Sequence, residues 1–165
     1  MASEFSFDIV SHLDLQEVDN AVNQVLKEVA TRYDFRGSRA TVRFDRTEGK
    51  IILEAEDTMK LRSMRQLLLE KGAKRGISPK AFELGQEQEI GGGLYQQDAK
   101  LVHGLSSERS KAIVKTIKES RIKVQPSIQS DQVRVAGRAK DDLQAVITLV
   151  KSNHTDVPLQ FVNYR

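Results

Sequence analysis

Apolar residues recur along this chain in two rhythms, and the order of those rhythms is the same in each half. Phe5 to Val10 alternates over a short run, as a half-buried strand does. From Asp14 the spacing changes to three and four, with Leu15, Val18, Val22, Val25, Leu26 and Val29 on one stripe. That pattern predicts a helix ending near Tyr33. Phe35-Arg36-Gly37 reads as a turn. Residues 40–45 and 50–55 alternate again around Thr47-Glu48-Gly49, which predicts a hairpin. A second helix, capped by Asp57 or Thr58, turns Leu61, Met64, Leu67 and Leu68 inward and stops at Gly76. After Pro79, residues 81–86 complete the set as a strand.

The same order then returns. Residues 95–103 read as a strand, and Ser106 or Ser107 caps a helix with Ala112, Ile113, Val114 and Ile117 inward. Residues 123–129 and 132–137 pair around Ser130-Asp131. A fourth helix over 141–151 and a last strand over 159–164 close the pattern. Ile51-Ile52-Leu53-Glu54-Ala55 before Leu61, Met64, Leu67 and Leu68 is echoed half a chain later. There Val133-Arg134-Val135-Ala136-Gly137 precedes Leu143, Val146, Leu149 and Val150. Strand-helix-strand-strand-helix-strand is the split βαβ pattern. The fold class is therefore α+β: two tandem ferredoxin-like domains, each a four-stranded antiparallel sheet with two helices on one face. Gly91-Gly92-Gly93 is the stretch that looks like a joint between them.

Composition narrows the chemistry more than the architecture. The chain has 165 residues and no cysteine, which excludes disulfide staples, thiolate metal sites and a cysteine nucleophile. No run is long enough to span a bilayer, and the N-terminus lacks a signal-peptide pattern, so no membrane role and a cytoplasmic location are expected. The formal net charge is +3, but the charges are segregated. Residues 1–30 hold Glu4, Asp8, Asp14, Glu17, Asp19 and Glu28 against Lys27. Residues 60–75 hold Lys60, Arg62, Arg65, Lys71, Lys74 and Arg75 against Glu70, and residues 109–123 are similarly basic around Glu119.

Several local strings, in order, resemble the YajQ family of small bacterial proteins. They are Phe7-Asp8-Ile9-Val10-Ser11, Tyr33-Asp34-Phe35-Arg36-Gly37, Lys74-Arg75-Gly76-Ile77, Lys123-Val124-Gln125, Gln132-Val133-Arg134-Val135 and Asp141-Asp142-Leu143-Gln144-Ala145-Val146-Ile147. The resemblance implies ferredoxin-like domains that exchange their first strands, with Gly91-Gly92-Gly93 supplying the crossing. On that reading residues 14–92 are completed by the strand at 94–103, and residues 104–165 by the strand at 5–10. It also implies nucleotide binding, with cyclic di-GMP, ATP, GTP or RNA as ligand classes and a transcription regulator as partner.

The residues offer specific phosphate contacts. Arg62, Arg65, Lys71, Lys74 and Arg75 follow the second helix toward its C-terminus, where cations also complement the helix dipole; both readings stand. Arg36-Gly37-Ser38-Arg39 is either a plain turn or a guanidinium and backbone grip for phosphate. Arg134, Arg138 and Lys140 sit at the start of the fourth helix as a second phosphate contact. Lys111, Lys115 and Lys118 line the outward face of the third helix, as a solvated surface or a polyanion attractor. The strands that would stack RNA bases, Lys50-Ile51-Ile52-Leu53-Glu54 and Gln132-Val133-Arg134-Val135, contain no aromatic residue. Phe44, Phe82, Tyr95, Phe161 and Tyr164 read as packing.

Catalysis finds no motif. The glycine triplet lacks the Lys-Ser/Thr of a phosphate-binding loop, and His12, His103 and His154 have no metal-ligand spacing. No catalytic residue, metal or cofactor is expected. The expectation is a non-enzymatic nucleotide- or nucleic-acid-binding protein, with phosphates held at a sheet or domain seam. The alternative is a protein-protein adaptor that uses its open sheet faces without a nucleotide.

Overall fold

The structure, a computed structural model, describes residues 4–165. Its strands are β1 (Phe5–Val10), β2 (Thr41–Asp45), β3 (Lys50–Ala55), β4 (Phe82–Leu84), β5 (Gln88–Gly91), β6 (Leu94–Leu101), β7 (Val124–Gln129), β8 (Gln132–Gly137) and β9 (Gln160–Val162). The helices are α1 (Leu15–Thr31), α2 (Thr58–Lys74), α3 (Ser107–Ser120) and α4 (Lys140–Asn153). Both sheets are antiparallel, and the chain has the fold class its periodicity predicts: two ferredoxin-like units.

The first unit is the continuous segment Leu13–Val102. Its sheet order is β2-β3-β6-β4, with β5 also paired to β6. In its register Ile51 lies opposite Ala99 and Leu53 opposite Gln97. Val18, Val22 and Val25 of α1 and Leu61, Met64 and Leu68 of α2 bury that face. The second unit joins the segment ending at His12 to His103–Arg165. Its order is β7-β8-β1-β9, so β1 lies inside the sheet between β8 and β9. Phe7 is opposite Val135 and Ile9 opposite Val133, and all four are fully buried beneath Ile113, Ile117, Val146 and Val150.

Helix starts follow their caps. Asp14 accepts from Gln16 N, Asp57 from Lys60 N and Ser106 from Arg109 N, each worth about 1 kcal/mol. α4 starts after Ala139, which offers no side-chain cap.

Two expectations are corrected. The strand expected over 81–86 is interrupted: β4 and β5 both lie along β6, with a break around Gly85. There the buried Gln97 donates its side-chain amide to the Gly85 carbonyl at 2.7 Å, replacing a strand partner. Gly91-Gly92-Gly93 is no joint either. All three glycines have positive φ (86°, 63° and 72°) and form the tight turn of the β5–β6 hairpin. The chain instead passes between units at His12-Leu13 and again at Val102-His103.

Beside that second passage, Gly104 adopts φ +83°, and a Cβ there would meet Asp131 Oδ2 at 2.8 Å. Its N–H donates to the Ser11 carbonyl at 2.6 Å. Gly104→Ala should therefore lower stability by about 2 kcal/mol, from left-handed backbone strain plus crowding. A fall in the urea midpoint at constant slope measures this; an unchanged midpoint contradicts it.

Candidate functional site

A cation can hold an outside anion well only if no internal carboxylate already holds it. On that criterion most of the α2 cluster is occupied. Arg62 makes a two-pronged contact with Glu87 at 3.0 and 3.1 Å. Arg65 reaches the same carboxylate at 3.5 Å and the Gln97 side-chain oxygen at 3.3 Å. The Arg62 contact, with a lesser contribution from Arg65, holds Glu87 below the usual carboxylate range. These arginines fasten the interruption between β4 and β5 through Glu87 and Gln97. Lys71 lies 3.5 Å from Glu28 of α1, and Arg75 lies 3.6 Å from Glu17. Lys74 is exposed, with no ion pair among the described residues.

The three cations from the second unit divide differently. Arg134 donates Nε to Asp8 at 2.9 Å across the β1–β8 pair. Lys140 lies over the Phe5 ring, 5.1 Å from its centroid. Arg138 opens onto a cleft of about 440 Å³ lined by Lys123, Gln125, Ala136, Glu4 and Asp142. The nine predicted cations therefore fall into two separate units, Arg36, Arg62, Arg65, Lys71, Lys74 and Arg75 in the first and the other three in the second.

Arg36, like Lys74, stands outside this pairing, and the build of its turn keeps it exposed. α1 ends with Arg32 N donating to Glu28 O, and a 3-10 turn follows over Tyr33–Phe35. Arg36 N then donates to Tyr33 O at 3.1 Å, and Ser38 N to Phe35 O at 3.0 Å. Phe35 is the buried anchor, with the Arg32 guanidinium 5.5 Å from its ring centroid. Arg32 also grips Asp34 at 3.0 and 2.8 Å, which neutralises the one carboxylate in the turn and holds it below its ordinary range. With Phe35 inside, Tyr33 is forced out and stands 85% exposed. Arg36 is exposed as well and has no ion pair among the described residues. A bare aromatic ring and an unpaired guanidinium thus sit three residues apart on one hydrogen-bonded turn.

The loop that follows grips an anion, though one of its own. Glu56 Oε2 accepts from the Ser38 hydroxyl at 2.9 Å and from Arg39 N at 3.0 Å. Glu56 Oε1 lies 3.3 Å from Lys60 Nζ. Partial burial opposes ionisation of Glu56. The Ser38 hydroxyl, backbone amides and Lys60 outweigh it and bring its pKa down to about 2. Arg39 also donates to the Gly92 carbonyl at 2.9 Å. The 36–39 segment is therefore tied to the start of α2 and to the hairpin tip.

Sequence reasoning missed Tyr33 as an exposed ring. The available signal was Tyr33 and Phe35 two residues apart in one short turn, where only one ring can enter the core. On the faces away from the helices, β3 carries Lys50, the buried Ile52 and Glu54, and β8 carries Gln132, Arg134 and Ala136, without an aromatic. Among the described residues no cluster of three potential metal ligands occurs, and no helix is long and apolar enough to cross a membrane. His154 is engaged elsewhere, between Arg109 at 3.1 Å and Thr116 at 3.0 Å.

The chain is thus a pair of ferredoxin-like units, the first of which carries an exposed aromatic ring and an exposed guanidinium on one turn. The family profile described as "Nucleotide-binding protein YajQ-like" matches residues 5–165, and the chain belongs to that family. A "Nucleotide-binding protein" of Desulforamulus reducens is 48% identical over 165 residues, spanning all of this chain and 99% of the relative. One from Heliobacterium modesticaldum, with the same printed description, is 47% identical over the same length and coverage.

Proposed function

We propose that this protein binds nucleotides without turning them over, and that the Tyr33–Arg36 turn holds a base together with its adjoining phosphodiester. The carrying observation is the 85% exposure of Tyr33 on a turn fixed by a buried Phe35, beside an arginine with no carboxylate partner among the described residues. Exposing a large ring costs favourable burial, and a base stacked on it recovers about 1–3 kcal/mol. Fixing the ring beforehand lowers the ordering cost of binding. The names of the relatives and of the family support the nucleotide class.

One ring and one guanidinium on this turn suit one stacked base and one adjoining phosphodiester, which carries a single charge. Cyclic di-GMP, with two such base–phosphodiester units, and single-stranded RNA, with many, both offer that unit. ATP and GTP bring several phosphate charges that a lone arginine does not match, so they should bind more weakly. A ligand that favours one state of the protein could then change how a regulatory partner engages it.

Titration of the purified protein with fluorescent cyclic di-GMP, ATP, GTP and poly(U) across a salt series tests the proposal. Tyr33→Ala should weaken the preferred ligand about tenfold, while Tyr33→Phe retains binding, because stacking needs only the ring. Arg36→Ala should weaken binding and flatten the salt dependence by about one phosphate contact. Unchanged affinity in Tyr33→Ala would remove the turn from the site.

A further inference from the structure

We infer that the groove between α3 and the edge strand β7 is a docking site for an acidic peptide segment bearing an aliphatic anchor. The groove is shallow and open, with a volume of about 370 Å³, and is lined by Lys111, Val114, Lys115, Lys118, Glu119 and Ile128. Ile128 is 44% exposed although it lies on the strand face that meets the helices, opposite the fully buried Val133. The groove's lining is mainly apolar, and three lysines of α3 flank it along one wall. Glu119 offsets them little: it lies 3.9 Å from Lys115, with both side chains mostly exposed.

The first unit shows what closes such a groove. Val133 corresponds in the internal repeat to Ile51, whose strand partner is Phe44, so Phe44 is the counterpart of Ile128. Over the Phe44 ring lies the Arg46 guanidinium, 5.2 Å from its centroid, and Arg46 is bonded to Asp19 of α1 at 2.6 Å. Counted from their caps, Asp14 for α1 and Ser106 for α3, Asp19 corresponds to Lys111. The second unit therefore has lysine where the first has the carboxylate and, among the described residues, no arginine lid over its apolar residue. What the groove lacks is a cover over Ile128 and a carboxylate beside Lys111.

That complement decides the occupant. A phosphate backbone would use the lysines but leave Ile128 and Val114 in water. An acidic peptide with a leucine uses both. Strand addition along β7 is the less suitable mode, since Pro126 interrupts the donors of that edge. The peptide is held by its side chains in the groove.

The test titrates the full chain into a fluorescein-labelled peptide, Asp-Glu-Asp-Leu-Leu-Glu-Asp-Glu, followed by anisotropy, with poly(U) as competitor. Saturable binding is expected. Lys111→Glu/Lys115→Glu and, separately, Ile128→Ser should each weaken it about tenfold with unchanged melting temperatures. If Ile128→Ser melts lower, Ile128→Thr keeps the β-branch and carries the same expectation. No saturable binding would overturn the inference. So would loss in the lysine variant alone together with displacement by poly(U), since the surface would then be a polyanion site.

Discussion

Arg134→Ala should cost this protein about 3 kcal/mol of stability, more than any single exposed cation could. Asp8 faces it across the β1–β8 pair with only 2% of its side chain exposed. The Arg134 hydrogen bond, with help from Asn163 at 2.8 Å, overcomes the burial penalty and holds the Asp8 carboxyl below its ordinary range. Removing the arginine leaves a buried carboxylate with one amide partner. The reverse change is milder: Asp8→Asn leaves Arg134 unpaired but 30% exposed, where water compensates, and should cost about 1–2 kcal/mol. A double-mutant cycle by urea unfolding measures both values and their coupling. Equal single-mutant costs, or a loss in Arg134→Ala below about 0.5 kcal/mol, would contradict this account. Because the folded pKa of Asp8 is depressed, this stabilisation is present above the unfolded carboxylate pKa and fades as pH falls through the folded one. A phosphate contact at Arg134 would compete with the same bond.

Glu56→Gln should produce the other large effect. Its pKa of about 2 against an ordinary 4.5 means that folding stabilises the ionised form. Full linkage for that difference is about 3 kcal/mol, and with the side chain 26% exposed, solvent screening reduces the expectation to about 2 kcal/mol. The sign follows from the depressed pKa. The contribution is complete above about pH 5 and disappears as pH drops from about 4.5 to 2. Urea midpoints of wild type and Glu56→Gln should therefore differ at pH 7 and converge near pH 2–3. A pH-independent difference would show that the carboxylate charge is not responsible. The variant should also bind nucleotide more weakly, since Glu56 ties down the loop directly after the Tyr33–Arg36 turn.

Much of the architecture was legible because burial imposes a period. Val18, Val22 and Val25, or Ile51, Leu53 and Ala55, can satisfy only one geometry each, and local caps such as Asp14 marked the helix starts. The strand interruption was not legible, because it depends on Gln97 reaching Gly85 from a neighbouring strand. The same distance problem governs the candidate site. Whether Arg62, Lys71 or Arg75 can take a phosphate is decided by Glu87, Glu28 and Glu17, which are remote in sequence. The contrast between Arg46–Asp19 and the lysines of α3 likewise needed both units in view.

The passages at His12-Leu13 and Val102-His103 also set an order of events during synthesis. The first unit is one uninterrupted stretch, so the chain reads as that stretch inserted into the second unit, after its opening strand. β1 leaves the ribosome before the whole first unit, yet its partners β8 and β9 leave after it. At about 10 residues per second, Phe7 and Ile9 wait on the order of ten seconds for Val135 and Val133. The first unit can assemble during that wait, leaving an apolar strand as the vulnerable part of the nascent chain. Shielding β1 from other chains is thus a demand that the finished molecule no longer reveals.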